Sequence, residues 1–237
     1  MIEYGIIAAG DGTRIKQEGG SVAKPLVRIG GVPMIGRLIT LMAQSGARAV
    51  SVIINENMPE VREYLEVLEP NVDCELRYTE MTTMSSFHTF YELLKFMQPE
   101  DKYVVTTVDS IFRVQDFEKY VSKFDDADKN IDGLMGVTTY IDDEKPLYVK
   151  TDDKDNITGY TDFPERETKY ISAGIYGLRN EFFPYIERCM EKGVARMRNF
   201  QRNLVEEGLR LKAFDLGKVI DIDHLSDIAK AEKFLAG

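Results

Sequence analysis

Up to about residue 130, short apolar runs rich in β-branched side chains alternate with stretches of helical periodicity. Tyr4–Ala8 (YGIIA), Ala49–Ile54 (AVSVII), the weaker Glu75–Tyr78 and Lys102–Thr107 (KYVVTT) read as strands. Between them lie helical patterns. One is opened by Pro33, carries apolar residues at 34, 35, 38, 39 and 42, and closes at Gly46. The next, 59–68, puts Val61, Tyr64, Leu65 and Leu68 on one face. A third, FHTFYELLKF, has Ser85 or Ser86 as a cap, and 117–124 forms the last. Strand and helix alternating at this spacing means βαβ units and a mostly parallel sheet. Right-handed crossovers place the strand C-termini on one edge, where open α/β sheets bind ligands. The glycine-rich loop after the first strand and Asp109 after the fourth therefore share that edge.

Beyond residue 130 the pattern changes to consecutive strands. These are 133–139, 146–151, 157–160 and 170–178, with DDKDN as a turn between the second and third. Helices near 180–191 and 195–207 follow, then strands near 211–215 and 218–222 and a helix over 225–235. With no linker, repeat or low-complexity segment, the reading is one domain over 1–237. Its fold is α/β: a Rossmann-like three-layer α/β/α arrangement around a mixed, mostly parallel central sheet.

The net charge of −10 argues against a nucleic-acid partner, which would meet a basic face. It leaves a nucleotide open as a ligand, because a phosphate site needs only a few cations and backbone N–H groups. No apolar run approaches the roughly 18 residues of a membrane span. MIEYGIIAAGDG reads as a first strand and not as a signal peptide, so a cytoplasmic protein without a membrane partner is expected. Cys74 and Cys189 are too few for a disulfide framework, and His88 and His224 form no zinc spacing. The cluster Asp125, Asp126 and Asp128 reads as a solvated loop.

The chemistry concentrates in AAGDGTRIKQEGGSVAKPL, residues 8–26. Glycines 5, 10 and 12 are followed by Thr13 and Arg14, with Lys24-Pro25 further on. This is neither a dinucleotide fingerprint nor a Walker A loop. The physical logic is shared, since glycines let backbone N–H groups approach phosphate oxygens. Arg14 offers a forked donor and Lys24 a point charge, both suited to phosphates. The glycines alone leave a second reading open, a flexible turn flanked by two surface cations.

Ala8 to Arg14 followed by Lys24-Pro25-Leu26 resembles the signature of the nucleotidyltransferase family. That family includes the sugar-1-phosphate nucleotidyltransferases, and the stretch also looks like the related choline-phosphate cytidylyltransferases. GGVPMIGRLI is similar to a further family stretch, and the likeness resumes at Asp109, at Gly174 and near the C-terminus. The resemblance implies a nucleotide-diphospho-sugar transferase type of fold, with residues 1–130 as nucleotide-binding half and 131–237 as acceptor-binding half. Ala8, Ala9, Gly10, Asp11, Gly12 and Thr13 would hold base and ribose. Arg14 and Lys24 would grip the triphosphate and its transition state. Asp109 would bind Mg²⁺ and border the acceptor, and Asp221 and Asp223 would both take the role of second metal carboxylate, the main one of the two being left open. Those two alternate along a strand and so face one way. Asp227 caps or decorates the last helix. Thr82, Thr83, Ser85 and Ser86 lie where the family contacts base or sugar, Thr83 and Ser85 being the chosen candidates, with helix capping as the competing use. Gly174, in SAGIY, would let the acceptor pack closely, with a strand bulge as the competing use. His88 reads as a core or surface residue.

The reaction so implied is attack by an acceptor phosphate on the α-phosphorus of a nucleoside triphosphate, with release of pyrophosphate. The expected acceptor is small and phosphorylated, foremost a sugar 1-phosphate, and a homo-oligomer is compatible with the sequence. Three alternatives stand beside it: a cytidylyltransferase for phosphocholine or another phosphorylated alcohol, a glycosyltransferase using a nucleotide-sugar, and a non-catalytic nucleotide-binding regulator. Asp109 has no Asp-x-Asp partner, which weighs against the glycosyltransferase. Residues 161–165 (TDFPE) lack the lysine that the family often carries there to touch the sugar. The segment between Arg14 and Lys24, with Gly19 and Gly20, is expected to be a mobile flap.

Overall fold

The computed structural model describes residues 1–142, 144–166 and 168–237. In chain order the first half runs β1 (Ile2–Ala8), α1 (Thr13–Gln17), β2 (Arg28–Ile29), β3 (Val32–Pro33), α2 (Met34–Gln44), β4 (Ala49–Ile54), α3 (Pro59–Leu68), β5 (Glu75–Glu80), α4 (Ser86–Phe96), β6 (Lys102–Thr107), β7 (Ser110–Ile111) and α5 (Val114–Asp125). The second half runs β8 (Gly133–Thr138), β9 (Tyr148–Thr151), β10 (Ile157–Thr161), β11 (Thr168–Arg179), α6 (Phe183–Glu191), α7 (Met197–Glu206), β12 (Leu211–Asp215), β13 (Ile220–Asp221) and α8 (Leu225–Ala236).

β1 lies between β4 and β6, both parallel to it, and β5 extends the parallel body beyond β4. A strand in this position is covered on both faces, which is why YGIIA and, but for Ser51, AVSVII are runs without polar side chains on either face rather than alternating. The consecutive strands of the second half enter antiparallel: β11 pairs with β6, β8 and β9, and β9 with β10. β12 then returns parallel to β8. The expected mixed sheet between helical layers is thus what the chain forms.

Each face of the sheet carries its own core. Tyr4, Ile6 and Ala8 of β1 join the cluster that holds α2, α3 and α5. Ile7 points the other way, into the cluster of Phe87 and Phe90 of α4 and Phe200 of α7. A Cβ on Gly5 would come within 2.9 Å of Met97 Sδ and 3.1 Å of Leu93. Gly5 therefore serves the packing of β1 against α4 and stands apart from the loop glycines.

Several boundaries differ from the sequence reading. Pro33 closes β3 and is the N-cap of α2, not its first turn. Residues 13–17 form a helix where a loop was expected. The strand expected over 218–222 is reduced to Ile220–Asp221, because it pairs only with the two residues of β7. DDKDN is a turn, with Asp152 accepting the N–H groups of Lys154 and Asn156. The register Ala8↔Ile54 and Ile7↔Thr107 brings the ends of β1, β4 and β6 to one edge.

Candidate active site

Residues 9–12 leave the end of β1 and turn into α1. Gly12 has φ 61, and a Cβ there would sit 2.7 Å from Lys24 Cβ. Glycine is needed at 12 both for the left-handed backbone and to admit the lysine beneath the loop. Gly10 is different: its φ is ordinary and a Cβ there would meet no protein atom within 4 Å. The loop is stapled from below by Asn55, a buried residue just past β4. Its amide donates to Ala9 O at 3.1 Å and to Asp11 Oδ1 at 3.0 Å. Its own oxygen accepts from Asn57 N at 2.9 Å.

Lys24 opens a short 3₁₀ turn, Lys24–Leu26, anchored by the buried Pro25. Its ammonium lies 2.6 Å from Asp109 Oδ2 and 2.8 Å from Asp223 Oδ1. Arg14 donates to the other oxygen of Asp223. Burial alone would push the Lys24 ammonium down, but Asp109 and Asp223 outweigh it and hold its pKa well above the ordinary lysine value. Burial would likewise raise the Asp109 carboxyl; the charge and hydrogen bond of Lys24 prevail and keep it below the ordinary range.

The two carboxylates meet because β7 pairs with β13. Ser110 faces Asp221 across that ladder, and Ile222 N–H donates to Asp109 O at 3.1 Å. Ser110 Oγ donates to Asp221 Oδ1 at 2.9 Å and lies 2.9 Å from Thr107 Oγ1. Gly174 sits in a register shift of β11 with φ 71, and a Cβ there would fall 2.5 Å from both hydroxyls. The bulge and the close approach are thus both real, and what approaches Gly174 in this structure is protein. Asp223 lies beyond the end of β13, so the expected strand alternation does not place it. Asp227 does: its carboxylate accepts the N–H groups of Asp223 and His224 at 3.2 and 2.8 Å. That is the helix-capping use expected for Asp227.

A cleft of about 560 Å³ opens over this cluster. Asp109, Gly174, Asp221 and Asp223 form its floor, and Ser85 and Ser86 line it together with Arg196 and Arg198, the N–H groups of Arg196 and Met197 donating to Ser85 and Ser86 Oγ at 3.2 and 3.0 Å. Of the two hydroxyl candidates, Ser85 borders the cleft, with Oγ 2.8 Å from His88 Nδ1 and accepting Arg196 N–H at 3.2 Å. Thr83 is turned toward Thr89 Oγ1 at 2.5 Å. Ser85 occupies the N-cap position of α4 without a side-chain cap bond, so capping is not its use. A larger cavity, about 860 Å³, lies at the opposite edge of the sheet. There Lys102 donates to the carbonyls of Phe124 and Asp125 at the end of α5, and Arg179 to those of Ala127 and Asp128 just beyond it.

The residues that motif reading missed lie mainly on the arginine rim beside Ser85. Arg196 holds φ 69 without being glycine, a backbone state that costs on the order of 1–3 kcal/mol and is retained chiefly at functional sites. Arg198 donates to Asp162 Oδ1 at 2.6 Å, and Arg202 reaches the same oxygen at 2.7 Å. Asp162 belongs to the TDFPE stretch without the lysine, so the cations of this rim come from the region of α7. No spacing or periodicity marks Arg196; its N–H donates to Ser85 Oγ, a contact between distant parts of the chain.

The family model described as "Nucleotidyl transferase" matches residues 5–236. This chain belongs to the Nucleotidyl transferase family. It is 25% identical, over 236 residues, to the bifunctional protein GlmU of Methanococcus maripaludis, covering 95% of this chain and 52% of that protein. The chain thus spans about half the length of that curated relative. Among solved structures it resembles the inositol-1-phosphate CTP transferase from T. maritima, at 18% identity and a TM-score of 0.80, covering 99% of this chain and 94% of the other. It also resembles a Bacillus anthracis protein assigned as a glucose-1-phosphate thymidylyltransferase, in complex with a sucrose, at 18% identity and a TM-score of 0.84, covering 99% and 95%. At such identities the two structures establish the fold.

Within this Nucleotidyl transferase fold the site candidates divide. Gly12, Arg14, Lys24, Asp109, Asp221, Asp223 and Gly174 come together around one cleft floor. Asp11 is held by Asn55, and Thr83 by Thr89. The segment between Arg14 and Lys24 is not a free flap: α1 occupies its first turn, Ile15 is buried, and Gly20 N–H closes onto Ile15 O at 2.9 Å. Among the described residues no helix is long and apolar enough to cross a membrane.

Proposed function

We propose that this chain transfers a nucleotidyl group from a nucleoside triphosphate to a small phosphorylated acceptor and releases pyrophosphate, with a sugar 1-phosphate as the acceptor. The observation that carries the reading is Lys24 Nζ lying between Asp109 and Asp223 below a glycine loop. A cation held by two carboxylates from distant parts of the chain matches a site that trades cations with a triphosphate.

The donor set also fits Mg²⁺, which takes one or two carboxylates and fills its remaining positions with water and phosphate oxygens. Asp109 and Asp223 would hold it, with Asp221, anchored by Ser110, beside them. Among the described residues no three carboxylate, histidine or cysteine side chains converge into a closed cage, which suits an ion shared with substrate. When bound, the ion would neutralise charge on the phosphates.

The chain's own residues supply the remainder. An acceptor phosphate oxygen forms a bond to the α-phosphorus, the bond from that phosphorus to the bridging oxygen breaks, and the electron pair leaves with pyrophosphate. No proton has to be taken by a side chain, because the attacking phosphate oxygen already carries its charge. Lys24 and Arg14 place positive charge where it develops on the phosphates. Gly10 leaves room for a ligand to approach the loop backbone. Arg196, whose guanidinium has no ion pair among the described residues, borders the acceptor side.

The likeness to a protein assigned as a glucose-1-phosphate thymidylyltransferase supports a sugar phosphate, and the likeness to an inositol-1-phosphate CTP transferase is compatible with a phosphorylated polyol. Phosphocholine fits less well, since its ammonium would face the arginine rim and no aromatic cage. Pyrophosphate release should be measured with Mg²⁺ across four nucleoside triphosphates and a panel of sugar 1-phosphates, inositol 1-phosphate and phosphocholine. Release with one matched pair is expected. Silence throughout, together with no Mg²⁺-dependent nucleotide binding by calorimetry, would overturn the proposal.

A further inference from the structure

The segment between Arg14 and Lys24 touches the start of the last helix at a point that the transfer reaction does not require. Glu18 follows α1. One of its carboxylate oxygens pairs with Nδ1 of His224, and the other accepts the N–H of Leu225 at 2.8 Å. Leu225 is the first residue of α8, so that N–H has no partner inside the helix. One helical turn before Glu18, Arg14 holds Asp223; at the far end of the segment, Lys24 holds Asp223 and Asp109. The chain from Arg14 to Lys24 is thus fastened to 223–225 at three points.

The backbone explains why Glu18 points there. Gly19 has φ 92 and its N–H closes onto Lys16 O at 3.1 Å. Gly20 folds back so closely that a Cβ would fall 2.5 Å from the Ile15 side chain. Ile15, 1% exposed, anchors the inner side of the turn, which leaves Glu18 on the side of α8. A carboxylate at the N-terminus of a helix is also favoured by the helix dipole.

We propose that Glu18 is a positioning residue, whose clasp on His224 and Leu225 holds the segment carrying Arg14 and Lys24 in register with Asp223. It lies outside the lining of the cleft, and its role in turnover rests on the transfer reaction proposed above. The clasp is exposed, and exposed ion pairs add little to global stability. Its effect therefore falls on the segment and not on the fold.

The test compares Glu18→Ala and Glu18→Gln with the natural chain. Amide exchange without nucleotide comes first, read at residues 18, 19 and 20, whose N–H groups close the turn. Glu18→Ala should speed exchange there about tenfold and leave β1, β4 and β6 unchanged, while the KM for the nucleoside triphosphate rises about tenfold with little change for the acceptor. Glu18→Gln keeps an oxygen for Leu225 N–H and should fall between the two. Unchanged exchange in Glu18→Ala overturns the clasp. So does a lowered melting temperature with exchange accelerated across the whole chain, which would make Glu18 a helix cap only. Accelerated exchange at 18–20 in a protein that releases no pyrophosphate supports the clasp and sinks the transfer reaction instead.

Discussion

A Cβ on Gly12 would lie 2.7 Å from the Cβ of Lys24, so the glycine loop and the central cation of the site are one packing problem. Gly12→Ala must strain a φ of 61 and displace the lysine as well. It should destabilise by roughly 1–3 kcal/mol and lower kcat/KM at least a hundredfold. Gly10→Ala meets no protein atom and needs no special backbone, so its melting temperature should stay within about 1 °C of the natural chain's. If nucleotide approaches that face, the KM for the triphosphate alone should rise about tenfold. A melting temperature and a nucleotide titration on each variant decide the matter; equal losses of stability in both would show that Gly10 is structural too.

Lys24→Ala removes the one ammonium that Asp109 and Asp223 share. Two facing carboxylates without that counter-charge should cost roughly 1–3 kcal/mol in the absence of divalent cations, and turnover should be lost. If those carboxylates hold Mg²⁺, the ion should restore part of this. Adding MgCl₂ should raise the melting temperature of Lys24→Ala more than that of the natural chain. Equal shifts in the two proteins would remove Asp109 and Asp223 as the metal's ligands.

How much could be read in advance follows from what each residue depends on. The parallel body was legible because the fully buried strands β1 and β4 need continuous apolar runs. The shared edge of the glycine loop and Asp109 then follows from handedness alone. The meeting of Asp109 with Asp221 was only partly legible: it hangs on a ladder of two residues, too short to carry a pattern of its own. Asn55 is the first polar residue after β4, and nothing local says that its amide bridges Ala9 and Asp11. Arg196 and Glu18 were invisible for the same reason. Their roles come from contacts with Ser85 and with His224 and Leu225, and sequence periodicity reports a residue's own element and not its distant partners.

Gly174→Ala tests the floor of the cleft from the acceptor side. The added methyl would fall 2.5 Å from the hydroxyls of Thr107 and Ser110 while φ stays at 71. Overpacking and backbone strain together should cost roughly 2–5 kcal/mol. Because Ser110 orients Asp221, activity should fall further than stability explains. Pairing Gly174→Ala with Ser110→Gly removes one of the two collisions and should recover part of the stability but not the activity. Independent, additive effects in a double-mutant cycle would show that the contact does not exist.

Glu3 offers a pH test remote from the site. It lies on β1, buried, accepting from Ser51 Oγ at 3.2 Å and from Arg77 at 3.0 Å. Burial outweighs the pull of Arg77 and the bond from Ser51, so its pKa is raised above the ordinary 4.5. A carboxyl with a raised native pKa binds its proton more tightly in the folded chain than in the unfolded one. Its contribution to stability is therefore full below pH 4.5 and is lost as pH rises through the raised value. Glu3→Gln abolishes that titration and keeps an oxygen for Ser51, while Arg77 retains Glu75. Relative to the natural chain, Glu3→Gln should gain stability as the pH is taken from 4 to 7, by a few degrees in melting temperature. A difference that stays flat or declines over that range would mean that Arg77 and Ser51 fully offset the burial of this carboxylate.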